Sequence, residues 1–239
     1  MIDNKELSTL LLSNVNLRLV EPHIYSIYPE GENTNIYDKG GGIYDFVACN
    51  RLYNRLVWGY WTTEYASFCQ NALTSSADGW VLDAGCGSLA FSARTYSGYS
   101  ERPIVLLDQS VRLLQMAKLR LTKLHDNFPD NMIFLHGNAL RLPFKPKSFS
   151  TVISLNLLHV LKDAKGVLNE LKNVLEDDGM IYVTTLVKNN RLADIYLNSL
   201  GRVGLVLPRN TSQLLEVFNK LGISTKHYTR GNLMFVYTY

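Results

Sequence analysis

From Trp80 to the C-terminus, short runs rich in β-branched and aromatic residues recur at regular intervals: WVLDA, PIVLLD, MIFLH, STVISL, MIYVTTL, ISTKHYT and LMFVYTY. Helical patterns lie between several of them. Ser110 to Leu124 sets Val111, Leu114, Ala117, Leu121 and Leu124 on one stripe. Val167 to Leu175 does the same with Val167, Leu168, Leu171, Val174 and Leu175, and Asp178-Gly179 is expected to end that helix before the next strand. Strands that alternate with helices pair in parallel, with helices covering the sheet. The last two runs meet at Thr229-Arg230-Gly231-Asn232, a hairpin-type turn that predicts a final strand antiparallel to its neighbour. The expected architecture is α/β, a doubly wound and mostly parallel sheet over residues 80–239.

Before Trp80 the character changes. Residues 1–79 show no run that reads as a buried strand, yet carry seven of the fourteen tyrosines, and are expected to form an N-terminal extension and helical cap. Gly40-Gly41-Gly42 reads as a flexible joint ahead of a helix from about Tyr44 to Tyr53. The N-terminal stretch MIDNKELSTLLLSNVNLRLV places Asp3 and Glu6 ahead of a short LLL run, too brief for a signal sequence or a membrane span.

Composition narrows the class. An apolar fraction of 46% supplies one continuous core for 239 residues, and a formal charge of +3 without a like-charge block gives no footprint for nucleic acid. The three cysteines, Cys49, Cys69 and Cys86, are odd in number and lack metal-ligand spacing, so a reducing, cytoplasmic setting without a bound metal is expected.

The stretch VLDAGCGSLAF, residues 81–91, carries the chemistry. At the end of a first parallel strand, Gly85 and Gly87 let the backbone approach a ligand, and a following helix would aim its free N–H groups at it. Asp83 adds a carboxylate at the strand end. Asp108 follows 21 residues beyond Gly87, at the end of PIVLLD, where a neighbouring strand's carboxylate can take two ribose hydroxyls. The plainer reading is a tight turn and a carboxylate that caps the helix at Ser110; the joint spacing favours a nucleoside site.

The order VLDAGCG, VLLDQS, GNALRLPFKPKSFSTVISLNLLHVL and VLEDDGMIYV resembles the class I S-adenosylmethionine-dependent methyltransferases of small molecules, which have a Rossmann-like fold. The segment YDFVACNRLYNRLVWGYW also resembles, loosely, the cap of members that include quinone-ring methyltransferases. The resemblance implies S-adenosyl-L-methionine as cofactor. It implies that Asp83, Gly85 and Gly87 line the methionine part, that Asp108 binds the ribose and that Gln109 flanks the adenine. Asn138 stands where the family usually has Asp and still presents a carbonyl oxygen to the adenine amino group, while Ala139 offers its backbone N–H. Ser154 would give a backbone carbonyl to the cofactor's amine.

Leu89 departs from this pattern, standing where the family has a third glycine; Ala90 keeps a small residue one step later, giving G-x-G-x-x-A. That pattern also fits a nicotinamide-dependent oxidoreductase. Against it, Asp83 would repel a pyrophosphate and no second mononucleotide half is evident. A catalytically inactive methyltransferase-fold scaffold is the third reading.

Methyl transfer from a sulfonium is an in-line displacement that needs alignment more than acid–base help. His159, in NLLHV, is the best-placed candidate base, with a backbone-bonded structural histidine as its alternative; His23, His125, His136 and His227 read as structural. Among Tyr44, Tyr53, Trp58, Tyr60 and Trp61, Tyr44 is the chosen aromatic residue for the sulfonium. The segment Leu186 to Asn210 is expected to wall the acceptor pocket, where Arg191, Arg202 and Arg209 could meet an acidic acceptor or be solvated surface. A small acceptor, aromatic or acidic, is expected, with no nucleic-acid partner; the sequence leaves the oligomeric state open.

Overall fold

The structure is a computed structural model that describes residues 2–31, 50–74, 78–125 and 127–239. Tyr44 and Gly40-Gly41-Gly42 lie outside these. The elements in order are α1 (Asn4–Leu10), β1 (Arg18–Glu21), β2 (Ile24–Ser26) and α2 (Arg51–Tyr53), which runs on into a π-helical turn (Asn54–Trp58). Then come α3 (Thr62–Thr74), β3 (Val81–Ala84), α4 (Ala93–Ser97), β4 (Ile104–Asp108), α5 (Val111–His125), β5 (Met132–His136) and β6 (Phe149–Leu155). The chain closes with α6 (Ala164–Val174), β7 (Leu175–Leu186), α7 (Arg191–Arg202), α8 (Thr211–Lys220), β8 (Thr225–Arg230) and β9 (Leu233–Thr238).

The nine strands among the described residues form one sheet in the order β1-β2-β5-β4-β3-β6-β7-β9-β8. Strands β2 to β7 are parallel to one another, while β9 runs antiparallel to both β7 and β8. The sheet is therefore mostly parallel with an antiparallel last strand, as the hairpin turn predicts. The seven runs from Trp80 onward all become strands.

Period-two alternation divides the core between the two faces. Leu82, Val105 and Val152 face one side, packed with Val167, Leu168, Leu171 of α6 and Leu214, Phe218 of α8. Val81, Ile104 and Ile153 face the other, packed with α3, α5 and α7 through Phe68, Leu114 and Leu197. In α5 the buried stripe is Leu114, Ala117 and Leu121, whereas Leu124 is exposed.

Three expectations need correction. Residues 1–79 do supply strands: β1 and β2 form a hairpin whose β2 pairs in parallel with β5, with Ile24 and Ser26 fully buried. Asp178-Gly179 does not end a helix, because Leu175 turns extended directly after α6 and both residues lie inside β7. The helix after the glycine turn opens only at Ala93, and residues 88–92 are not helical. Leu89, with a left-handed φ of +54°, cannot belong to a right-handed helix, so none can run through the end of the turn.

Among the described residues no helix is long and apolar enough to cross a membrane.

Candidate active site

Chain order reverses across β3: β4 and β5 continue the sheet on one side, β6 and β7 on the other. In an open parallel sheet the crevice at the carboxyl ends of the strands at such a point is where ligands bind. A cavity lies there, lined by the ends of β3, β4 and β6 and by the turn that follows β3.

The turn is wound by left-handed residues at alternate positions, with φ of +81° at Gly85, +56° at Gly87 and +54° at Leu89. Glycine carries this at no steric cost; leucine does not. The two glycines differ in their surroundings. A Cβ on Gly85 would press on Leu157 at 3.0 Å, whereas one on Gly87 would meet nothing within 4 Å, so Gly87 presents its backbone to the open cavity. Gly85 N–H and Cys86 N–H both donate to Leu107 O, at 2.8 and 2.9 Å, which ties the turn to β4.

Asp108 fixes the turn from the neighbouring strand. Gly87 N–H donates to its Oδ2 at 2.8 Å and Ser110 N–H to its Oδ1 at 2.9 Å. It does cap the entry to α5, as the plainer reading held. Both carboxylate oxygens therefore accept backbone N–H groups, which holds the carboxylate at the cavity wall.

Asp83 is 1% exposed and lines the cavity from beneath. Tyr96 Oη donates to its Oδ2 at 2.8 Å, while Oδ1 is buried with no hydrogen-bond partner. Burial pushes its acid up to about 7; the Tyr96 bond works against that shift and the Asp108 charge adds to it. A buried carboxylate with an orphaned oxygen costs folding energy and is poised for a cation.

Asn156 provides a second orphan. It lines the cavity just past β6 in a left-handed conformation (φ +61°), and its Oδ1 is buried without a partner. Its N–H donates to Thr184 O at 2.8 Å, which anchors the turn to β7. A strained residue bearing an unmet polar atom in a cavity is a candidate ligand contact.

The structure brings Asp83, Gly85, Gly87, Asp108, Gln109, Asn138 and Ala139 together around this cavity. Asn138 Oδ1 accepts from Leu140 N–H at 2.9 Å, which holds its side chain at the wall. Gln109 O lies 3.2 Å from His136 Nε2, and His136 Nδ1 lies 2.9 Å from Ser26 Oγ, so β2 braces this rim from below.

Two expected residues stand elsewhere. Ser154 is buried with its Oγ donating to Ala84 O at 2.9 Å, and the cavity wall is formed by Leu155 and Asn156 instead. His159 is buried outside the cavity lining; its Nδ1 accepts from Leu186 N–H at 3.3 Å and lies 3.3 Å from Thr185 Oγ1. Burial, aided by the nearby Arg209 charge, lowers its pKa to about 4, so it is neutral at pH 7. Arg209 does not face an acceptor: its guanidinium donates to the carbonyls of Leu158, Leu161 and Lys162.

Tyr65, which the sequence reading passed over, supplies an aromatic wall from α3. It is buried, accepts from Thr184 Oγ1 at 2.9 Å and packs against Phe91 with ring centres 5.3 Å apart. Its signal was the buried stripe Tyr65, Phe68, Cys69, Ala72 of α3.

The arrangement can receive a ligand with a cationic group at Asp83 and hydroxyls at Asp108. The family profile of a methyltransferase domain matches residues 75–214 of this chain, more than half of it. The chain belongs to that methyltransferase domain family.

Among curated proteins it is 30% identical over 118 residues to an uncharacterized protein of Methanocaldococcus jannaschii, which takes in 49% of this chain and 45% of that protein. It is 34% identical over 103 residues to the demethylmenaquinone methyltransferase of Lactococcus lactis, 42% of this chain and 39% of that protein. The match thus spans less than half the length of either relative. The crystal structure of an S-adenosylmethionine-dependent methyltransferase from Thermotoga maritima superposes with a TM-score of 0.60 at 16% identity, over 85% of this chain and 97% of that one. At that identity the likeness is one of fold.

Proposed function

We propose that the chain transfers a methyl group from S-adenosyl-L-methionine to a small aromatic acceptor by in-line displacement. The observation that carries this reading is the orphaned, buried Oδ1 of Asp83 beside the open face of Gly87. The cofactor has an ammonium and a sulfonium, which suit two carboxylates in one cavity; a nicotinamide dinucleotide would bring a pyrophosphate to the same carboxylates. The sheet also continues past β7 as an antiparallel hairpin, and among the described residues no second mononucleotide half follows it.

When bound, S-adenosylmethionine supplies an electrophilic methyl group on sulfur. Asp83 holds the ammonium end, with the side-chain Oδ1 of Asn156 taking the part that the resemblance assigned to the backbone carbonyl of Ser154. Asp108 accepts the ribose hydroxyls while its bonds to Gly87 and Ser110 keep it in place. Gln109, Asn138 and Ala139 flank the base. Tyr65, Phe91 and Val160 wall the cavity. They exclude water and hold the acceptor in line, which is where most of the rate comes from in a displacement of this kind. His159, neutral and outside the cavity, is not placed to take the acceptor's proton, which would pass to solvent as the methyl group is transferred.

The apolar walls support an aromatic acceptor over an acidic one, because Arg209 is spent on backbone carbonyls. The name of the Lactococcus relative points the same way. Radiolabelled S-adenosylmethionine incubated with panels of hydroxylated aromatics and of small aliphatic acids tests this. Transfer to the aromatic panel is expected; label on aliphatic acids alone contradicts the acceptor, and tight binding with no transfer to either favours the inactive scaffold.

A further inference from the structure

Leaving aside the chain end Tyr239, the six most exposed large apolar side chains among the described residues are Leu52, Leu56, Leu192, Ile195, Val203 and Leu205. They come from two segments that touch. Tyr53 Oη donates to Tyr196 Oη at 3.1 Å, and the rings of Trp58 and Tyr196 lie 5.4 Å apart. In each segment the inward positions are already filled: Asn54 and Trp58 are buried in the π-helical turn, Ala193 and Leu197 in α7. Leu56 at 82% exposure and Leu192 at 80% therefore face outward while a separate set of residues serves the core.

The charge within residues 50–61 and 191–205 is mostly of one sign, while Glu64, beside Trp61, is paired with Arg230. Arg51, Arg55, Arg191 and Arg202 are all exposed, each next in sequence to one of these apolar residues. The guanidiniums of Arg51 and Arg55 lie over the half-exposed Trp61 ring at 5.9 and 5.4 Å. The only carboxylate in residues 50–61 and 191–205 is Asp194, and its Oδ1 accepts from Asn189 N–H and Asn232 Nδ2. Apolar side chains interleaved with arginines and an aromatic ring match a bilayer interface, where chains enter the acyl boundary and guanidiniums meet anionic headgroups.

We propose that this face docks the protein on an anionic lipid surface. A second copy of the chain fits less well, because a two-fold contact through the same face would set four arginines against four, while Glu64 and Asp194 are already engaged by Arg230 and by Asn189 and Asn232. Both segments lie at the carboxyl end of the sheet, since α7 follows β7 and Trp58 O accepts from Asn232 N–H at the β8–β9 turn. That is the end at which the cavity opens, so docking would present the cavity to the bilayer.

Flotation of the full chain with vesicles tests the proposal independently of any methyl transfer. The chain should float with an equimolar mixture of phosphatidylcholine and phosphatidylglycerol, and bind phosphatidylcholine alone roughly ten-fold or more weakly. Arg51→Gln with Arg55→Gln should weaken binding to the mixed vesicles by roughly ten-fold or more, given what each basic residue contributes near such a surface. Leu192→Ser with Ile195→Ser should do likewise while leaving the thermal melt unchanged, because both side chains are exposed. The proposal is overturned if the chain stays in buffer with both vesicles, or if either double variant floats like the parent. It is also overturned if the chain is a dimer by sedimentation that Leu192→Ser with Ile195→Ser dissociates.

Discussion

Leu89 offers an unusual test because its side chain and its backbone pull in opposite directions. The side chain is 1% exposed and sits in the core cluster with Ala93, Tyr96, Leu106 and Leu114, while also contributing to the cavity wall. The backbone is left-handed at +54°, which costs a leucine about 1–2 kcal/mol and a glycine almost nothing. Leu89→Ala keeps the strain and empties the core site, so stability should fall by about 2–5 kcal/mol. Leu89→Gly empties the same site but relieves the backbone, recovering about 1 kcal/mol of that loss. The glycine variant should therefore be the more stable of the two, the reverse of the usual order for helical positions. Urea denaturation midpoints of the parent and both variants decide the matter. If glycine falls below alanine, the backbone at position 89 is not left-handed; if both match the parent, the side chain is not in the core.

Other expectations follow from the titrating groups and the carboxylate clasp. Asp83 has a folded pKa of about 7 against an ordinary 3.8, so the folded state binds a proton that the unfolded chain has lost. Its stabilising influence is complete below the unfolded value and is lost as pH rises through about 7; Asp83→Asn should melt higher than the parent near pH 8 while binding S-adenosylhomocysteine more weakly. A lower melt for that variant near pH 8 would show that Asp83 is not a strained, cation-seeking group. His159 behaves oppositely: held at about 4 against 6.5, it contributes stability above its unfolded value that is lost as pH falls through the folded one. Replacing His159 with Gln should flatten the acid limb of the melting curve, and an unchanged limb refutes the assignment. Asp108→Ala removes two backbone bonds together with the proposed ribose contact, so S-adenosylhomocysteine affinity should drop roughly ten-fold or more by calorimetry. A titration identical to the parent's removes Asp108 from the site.

Much of this was legible in the chain because the relevant signals are local. Seven apolar runs of strand length gave the sheet from Val81 onward, and the glycine turn with Asp108 brought seven of the expected residues to one cavity. What escaped was long-range or conformational. Strand β2 has only three residues, below the length at which alternation is recognisable, and it exists because β5, more than a hundred residues away, gives it a partner. Asn156 reads in sequence as one polar residue after a strand; its left-handed turn makes it a cavity contact and leaves Ser154 bonded to Ala84. The left-handed conformation of Leu89, which keeps the helix from starting within the turn, is one that no pattern of residue types reveals.

The cavity at the end of β3 is proposed to take a cationic nucleoside through Asp83. Calorimetric titration of the full chain with S-adenosylhomocysteine at about pH 6 and about pH 8, each in two buffers of different ionisation heat, tests it most directly. A single site per chain is expected, tightening toward the higher pH with a proton released on binding at the lower one, because the ligand's ammonium favours ionised Asp83. Absence of binding, binding of NAD in its place, or an affinity that is the same at both pH values with no proton released would contradict it.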